Sequence, residues 1–387
     1  MKRIITFILV VVALPVMAQW QNVAIEFDSL DRQYRIYVPS GLSDRPLSLV
    51  FGFHGLGGNM TAFSNLIAID SIADNDNIIV VCPQGIDDSL LGFGPAWNAG
   101  ASPATFDLEL NKDIDDVGYI RFLIDKLSVE YAVNPDNVFA FGFSLGGFMT
   151  QKLALELNDK IKAFASVAGT IGNEILPIPD DKPGRPVSIA HFHGTSDLVV
   201  GYDDNFFGLN VEDMIQFWNT NNLGNFLPEH ILLPDIKPDN LTVDYYKYTS
   251  DFNDSELVLY RVNNGGHEWL QKGINDISYT EEIWKFFKRD NTLSNRSFNN
   301  PEVDLIIYPN PSYGDAINIR LTGIESYGNN PLIVRIYDGI GNNIMEKQIN
   351  LYSDECRIVT NGVLSKGIYW VEVMHTDFKV GKKWIVY

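Results

Sequence analysis

From about residue 34 to 288 the chain alternates short runs of β-branched and aromatic residues with longer segments whose apolar positions recur every three or four residues. The first pattern predicts strands and the second helices. Their alternation predicts an α/β domain with a mostly parallel central sheet. Strands are expected over 34–38, 47–53, 78–82, 138–141, 163–167, 187–192 and 257–262, and helices over 116–131, 145–157, 211–221 and 280–287. In the segment 116–131, Val117, Ile120, Leu123, Ile124 and Leu127 form a single apolar face, which must pack on a sheet.

After Phe287 the periodicity lapses into KRDNTLSNRSFNNPE, a polar stretch rich in Asn and Ser that reads as an interdomain linker. Beyond Val303 only strand signals remain: IIYPNP, INIRLTG, LIVRIYD, GNNIMEK, GIYWVEV and KKWIVY, separated by Gly, Asn, Asp and Pro turns. They predict a small all-β sandwich. At the other end, Lys2 and Arg3 precede an apolar run from Ile4 to Val16, followed by the small residue Ala18. That run is shorter than the roughly 20 residues a spanning helix needs. It predicts a Sec signal peptide cut before Gln19 and no membrane span in the mature chain. The expected organisation is therefore a signal peptide at 1–18, an α/β domain at 19–288, a linker at 289–302 and a β-sandwich at 303–387.

Composition narrows the partners. The formal charge is −20, with 49 acidic and 29 basic residues spread along the chain, so nucleic acid is an improbable partner: phosphate binding needs clustered Lys and Arg. Only Cys82 and Cys356 are present, and no disulfide between them is expected. A chain of 387 residues can be exported without a disulfide framework because its core is large enough.

The chemistry concentrates at predicted strand ends. The strand at 138–141 runs into Gly142-Phe143-Ser144-Leu145-Gly146-Gly147 and then a helix, the required context of a G-x-S-x-G nucleophile elbow in an α/β-hydrolase sheet. A serine hydroxyl needs a base and a group that orients the base, and in this fold the chain order is Ser, then an acid, then His. Asp197, in the loop after the strand at 187–192, is the expected acid, with Asp203 and Asp204 as competitors. Among six histidines, His191 and His193 flank a strand end, His230 and His375 lie in polar segments, and His54 opens a glycine-rich loop. His267, in the turn NNGGHEW, alone follows both Ser144 and a plausible acid, and is the expected general base and acid. The oxyanion hole is expected from the amide of Leu145 and that of Leu56 or Gly55, in the loop HGLGG. That loop lacks the Lys and Ser/Thr of a phosphate-binding P-loop, and no H-E-x-x-H, paired-Cys or EF-hand pattern occurs, so neither a metal nor a cofactor is expected.

HGLGG at 54–58, PQG at 83–85, WNAG at 97–100, DIDDVGYIRFLID at 113–125, GFSLGG at 142–147, HGTSDLVV at 193–200 and GGHEW at 265–269 together resemble the extracellular esterases related to polyhydroxybutyrate depolymerases and feruloyl esterases. The resemblance implies Ser144, Asp197 and His267 as the triad and the backbone at Leu56 and Leu145 as oxyanion hole. Many members also close disulfides around the site, which this chain lacks. Trp97 either lines the substrate pocket or braces its loop, and Trp269 is a second substrate-binding candidate. YPNPSYG at 308–314, VRIYDGIGNNI at 334–344, LSKGIYWVEV at 364–373 and the terminal KKWIVY resemble the C-terminal sorting domains of type IX secretion cargo in Bacteroidota. These resemblances imply a secreted or surface-located monomer that cleaves an ester, on a polymer too large to import, with the type IX machinery as partner. The competing expectation is a displayed binding or adhesion protein on an inactive hydrolase fold, with the terminal sandwich as its active element.

Overall fold

A computed structural model describes residues 19–39, 47–88, 92–102, 110–179, 181–225, 228–250, 253–289, 304–314, 316–322, 332–337, 343–349, 355–360, 364–374 and 379–387. The predicted signal peptide, His375 and all of the predicted linker after residue 289 lie outside the described residues. The α/β region begins with β1 (Gln19–Phe27), β2 (Leu30–Val38) and β3 (Leu47–Phe53), followed by the short helices α1 (Met60–Ile67) and α2 (Asp70–Asp76). Next come β4 (Ile78–Pro83), the small hairpin β5 (Ile86–Asp88) and β6 (Gly94–Ala96), α3 (Asp116–Glu130), β7 (Val133–Phe143) and α4 (Leu145–Glu156). It closes with β8 (Ala163–Val167), β9 (Ser188–Gly194), α5 (Val211–Asn221), β10 (Glu229–Leu232), β11 (Thr242–Thr249), β12 (Glu256–Asn263) and α6 (Tyr279–Arg289).

Ten strands form one sheet in the order β1-β2-β4-β3-β7-β8-β9-β12-β11-β10. The six strands from β4 to β12 in that order are mutually parallel, and an antiparallel pair extends each edge. Residues of β3, β4, β8 and β9 are buried along their whole length, as expected where helices cover both faces. Alternate side chains feed two cores. Leu49, Phe51, Val81 and Ala140 meet Leu123 and Leu127 of α3, Phe148 and Leu153 of α4 and Trp218 of α5, whereas Val50, Val80, Phe139 and Phe141 meet Phe63 of α1 and Trp284 and Phe287 of α6.

Helix α3 departs from the expected face at its start: Val117 is half-buried, while Asp116 and Tyr119 are buried. The cause is a buried ion pair. Arg32 Nη2 lies 2.7 Å from Asp116 Oδ1, and its guanidinium stacks 4.0 Å from the Tyr119 ring centroid. Both cysteines are free thiols, Cys82 buried in β4 and Cys356 half-buried. Among the described residues no helix is long and apolar enough to cross a membrane.

The C-terminal region is all β: β13 (Asp304–Tyr308), β14 (Ala316–Thr322), β15 (Leu332–Tyr337), β16 (Asn343–Ile349), β17 (Glu355–Val359), β18 (Gly367–Met374) and β19 (Lys379–Val386). Two antiparallel sheets, β13-β14-β17 and β16-β15-β18-β19, share one core through Ile317, Ile319 and Ile358 from the first and Val334, Val371 and Trp384 from the second. Buried and partly exposed positions alternate along β14 and β15, the signature of sheets with one face inward.

Candidate active site

The turn between β7 and α4 is closed by steric need. A β-carbon at Gly142 would collide with the carbonyl oxygen of Gly146, and one at Gly146 with the carbonyl of Phe53, so only glycine permits so sharp a reversal. Ser144 sits at the apex with φ 57° and ψ −123°, a conformation that costs a non-glycine residue of order 1–3 kcal/mol and that the surrounding structure must impose. Its amide donates to the Val167 carbonyl at 2.9 Å, and its own carbonyl accepts from Gly147 and Phe148 at 2.7 and 3.1 Å. The side chain is thereby presented at the carboxyl end of the parallel strands, where α/β folds build their sites.

The acid and base loops leave adjacent parallel strands, β9 and β12, and are stitched together by backbone. Thr195 N donates to Val262 O, Ser196 N to Gly265 O, both at 2.9 Å, and Asn264 N to Thr195 Oγ1 at 3.0 Å. Across this seam His267 Nδ1–H donates to Asp197 Oδ2 at 2.7 Å. That bond fixes the tautomer and leaves Nε2 with a lone pair. Asp197 Oδ1 accepts from the amides of Val199 and Val200 at 2.8 and 2.9 Å. Burial alone would raise its carboxyl, but the His267 hydrogen bond and these two amides outweigh burial and hold it below the ordinary carboxylate range. Asp203 and Asp204 are exposed. The ring of Phe143, next to Ser144, packs on the His267 imidazole with centroids 4.9 Å apart, bringing the elbow and the base together.

The loop after β3 lies against the elbow. A β-carbon at Gly55 would be 3.1 Å from Ser144 Cβ and 3.6 Å from its Oγ. His54 holds this loop. Its Nε2 accepts from Gly85 N at 3.0 Å, so Nδ1 carries the proton and donates to Gly55 O at 2.8 Å. Burial lowers its pKa to about 4, which keeps the ring neutral. Gly57 N and Gly58 N are committed to the carbonyls of Pro95 and Gly55. Leu145, the first residue of α4, has one of the amides that a helix start leaves without an intrahelical acceptor.

The structure gives both candidate substrate-binding tryptophans bracing positions. Trp97 is fully buried, its indole N–H donating 2.9 Å to the His54 carbonyl and its ring packed on His54 and Phe53. Trp269 is buried among Phe63, Phe141, Phe143 and Tyr279. Neither presents its ring to solvent, because the loops that carry them fold back onto the sheet. Leu56, Phe93, Leu198, Val199 and Phe206 are among the exposed large apolar residues on the connecting loops.

Residues 42–229 match the phospholipase/carboxylesterase family model. Residues 306–387 match the secretion system C-terminal sorting domain, which directs type IX export to the cell surface or the extracellular space. The chain is 31% identical over 173 residues to Feruloyl esterase B of Piromyces equi, covering 44% of this chain and 30% of the relative. The chain thus spans under a third of that relative's length. It is 25% identical over 265 residues to a probable Feruloyl esterase C of Aspergillus niger, covering 66% of this chain and 83% of the relative. Among solved structures, the acetyl xylan esterase from Aspergillus awamori superposes with a TM-score of 0.49 at 15% identity, over 70% of this chain and 99% of that one.

Three residues that support the candidate site stood in the quoted motifs without a role of their own. Gln84 reaches His54 Nε2 at 3.2 Å while its Oε1 accepts from Met60 N at 2.9 Å. Asn98 links the Trp97 loop to the buried ion pair through its amide, 2.7 Å from Asp116 Oδ2. His193 stands 3.5 Å from Asp197 Oδ2. The signals for His193 were its place at the end of β9, four residues before the expected acid, and at the head of the HGTSDLVV motif.

Proposed function

We propose that this protein is an exported carboxylic ester hydrolase that works through an acyl-enzyme. The observation that carries the reading is the Asp197–His267 hydrogen bond at 2.7 Å, formed at the ends of two neighbouring strands beside a strained Ser144. His267 Nε2 takes the Ser144 hydroxyl proton as Oγ attacks the ester carbonyl. The amides of Leu145 and Leu56 receive the developing oxyanion. As the carbonyl re-forms, the carbon–oxygen bond to the alcohol breaks and the alcohol leaves with the proton from His267. Water, activated by the same nitrogen, then releases the acid and regenerates Ser144.

The substrate we infer is an ester on an extracellular polymer, of the feruloyl or acetyl kind borne by plant polysaccharide. Two features support it: export, which suits a substrate too large to import, and the apolar side chains of Leu56, Phe93, Leu198, Val199 and Phe206 exposed on the connecting loops. The enzyme is expected to act as a monomer. Hydrolysis of p-nitrophenyl acetate by the full chain tests the chemistry. Ser144→Ala should lower kcat at least about 10³-fold, and equal rates in the two proteins would remove the proposal. A panel of methyl ferulate, acetylated xylan and polyhydroxybutyrate film tests the substrate. Turnover confined to the polyester film would overturn the polysaccharide assignment.

A further inference from the structure

Behind the acid loop runs a chain of buried polar groups that the mechanism above does not use. Trp218 Nε1 contacts Gln151 Oε1 at 2.7 Å, Gln151 Nε2 contacts Ser166 Oγ at 2.7 Å, and Ser166 Oγ contacts His191 Nδ1 at 2.7 Å. His191 Nε2 then lies 3.0 Å from His193 Nδ1, and His193 Nε2 lies 2.7 Å from the Val200 carbonyl and 3.5 Å from Asp197 Oδ2. Trp218, Gln151, Ser166, His191 and His193 are each at most 1% exposed.

The two ends fix the direction of every bond between them. An indole N–H can only donate and a carbonyl oxygen can only accept. Val200 O therefore requires the proton on His193 Nε2, which leaves Nδ1 as acceptor. His191 must then donate from Nε2 and accept at Nδ1 from the Ser166 hydroxyl, whose oxygen accepts from Gln151. All donors point toward the acid loop, and each ring is satisfied in its neutral form. Burial, and then His193, disfavours protonation of His191; at His193 burial outweighs the Val200 hydrogen bond and the Asp197 carboxylate, and His267 adds to it. The other titratable groups facing His193 are Asp197 and the edge-on ring of Tyr202, 5.7 Å away.

We propose that His193 is a positioning residue for the triad acid: a neutral Nε2–H, aimed by the one-way chain from Trp218, ties the Val200 carbonyl down and faces the same Asp197 oxygen that receives His267. Neutrality is the useful property. During turnover His267 becomes an imidazolium, and its stabilisation depends on an undiluted negative charge on Asp197. A cationic His193 would compete for that charge, whereas a neutral ring whose one proton is held by Val200 O steadies the loop that carries the carboxylate without cancelling its charge. The inference rests on the esterase reading, because it assigns a role within that triad.

The test has a structural and a kinetic arm, both on the full chain. Nitrogen-15 NMR of the imidazoles should find His191 and His193 as neutral Nε2–H tautomers throughout about pH 5 to 8, where a free imidazole titrates. Protonation of either ring in that range, or an Nδ1–H tautomer, overturns the proposal whatever the variants do. In the kinetic arm, His193→Phe keeps the volume and removes the donor. It should lower kcat on p-nitrophenyl acetate about tenfold with KM within about twofold, while His193→Gln, whose amide reaches the Nε2 position, recovers most of the rate. Ser166→Ala, remote from the substrate, should reproduce part of the kcat loss and stands in should the phenylalanine variant fail to fold. Unchanged kcat in a folded variant without the donor overturns the proposal. Absence of Ser144-dependent turnover in the wild type would instead remove the esterase reading, with the NMR arm still reporting on the wiring.

Discussion

The carboxyl ends of β3 and β9 are alike, each marked by a buried histidine followed by glycine, His54-Gly55 just past β3 and His193-Gly194 closing β9, yet the two rings are wired oppositely. His54 keeps its proton on Nδ1 and uses it on the carbonyl of its own neighbour, so its tie is local and shapes the turn over Ser144. His193 keeps its proton on Nε2 and reaches across its loop to Val200, drawing on groups from β8, α4 and α5. One ring braces the proposed oxyanion side and the other the acid side. A buried neutral imidazole is thus a two-ended tie with one donor and one acceptor, and its surroundings choose which end donates.

Breaking each side separately should show which matters more. The largest effect is expected from Asp197→Asn, which would disfavour the required His267 tautomer and lower kcat by about 10³ to 10⁴-fold, measured as initial rates on a p-nitrophenyl ester. His54→Phe should lower kcat by about 10² to 10³-fold, the loss associated with one misplaced oxyanion donor, while leaving the pH at which the base titrates unchanged. A rate loss in that variant that appeared wholly in KM would disconnect His54 from the oxyanion loop.

The same histidine predicts an acid limb in stability. Its pKa drops from 6.5 in the unfolded chain to about 4 when folded, so below 6.5 the unfolded state binds more protons and stability falls as the pH is lowered toward 4. Chemical denaturation at pH 7 and pH 4 should show a contribution of roughly 3 kcal/mol from this group, absent from the pH dependence of His54→Phe. A mutant curve parallel to wild type would reject it. The smallest effect should come from Trp97→Phe, which removes the indole donor to His54 O and should cost about 1 kcal/mol of stability with kcat changed only a few-fold.

The proposed triad could be read from the chain because Ser144, Asp197 and His267 follow strands whose apolar runs are unmistakable, and glycines mark each turn. The helix 211–221 and the strands 47–53 and 163–167 lie where their periodicity put them. What escaped was of two kinds. The antiparallel edges β1, β10 and β11 and the short helices α1 and α2 carry mixed polar patterns, since edge strands meet solvent and helices of two turns show too little period. The His191–Ser166 contact depends on the register of β8 against β9, which pairs those two residues, and no local pattern encodes register between strands separated by a crossover. The burial of Trp97 has the same origin: its partners, His54 and Phe53, arrive from another strand.

The placement of α6 has a consequence for the order in which the molecule comes into being. Thr280 Oγ1 donates to the Ile67 carbonyl at 2.7 Å and Trp284 Nε1 to Asp76 at 2.6 Å, so the last helix of the α/β region clamps the first two. His267 precedes that clamp on the segment joining β12 to α6, long after Ser144. A chain threaded outward from its amino end therefore delivers its nucleophile early and its base and its fastener last. Contacts this distant in sequence are slow to close. The proposed ester-cleaving centre would therefore stay unassembled until α6 has emerged, a latency that follows from the connectivity of the sheet alone.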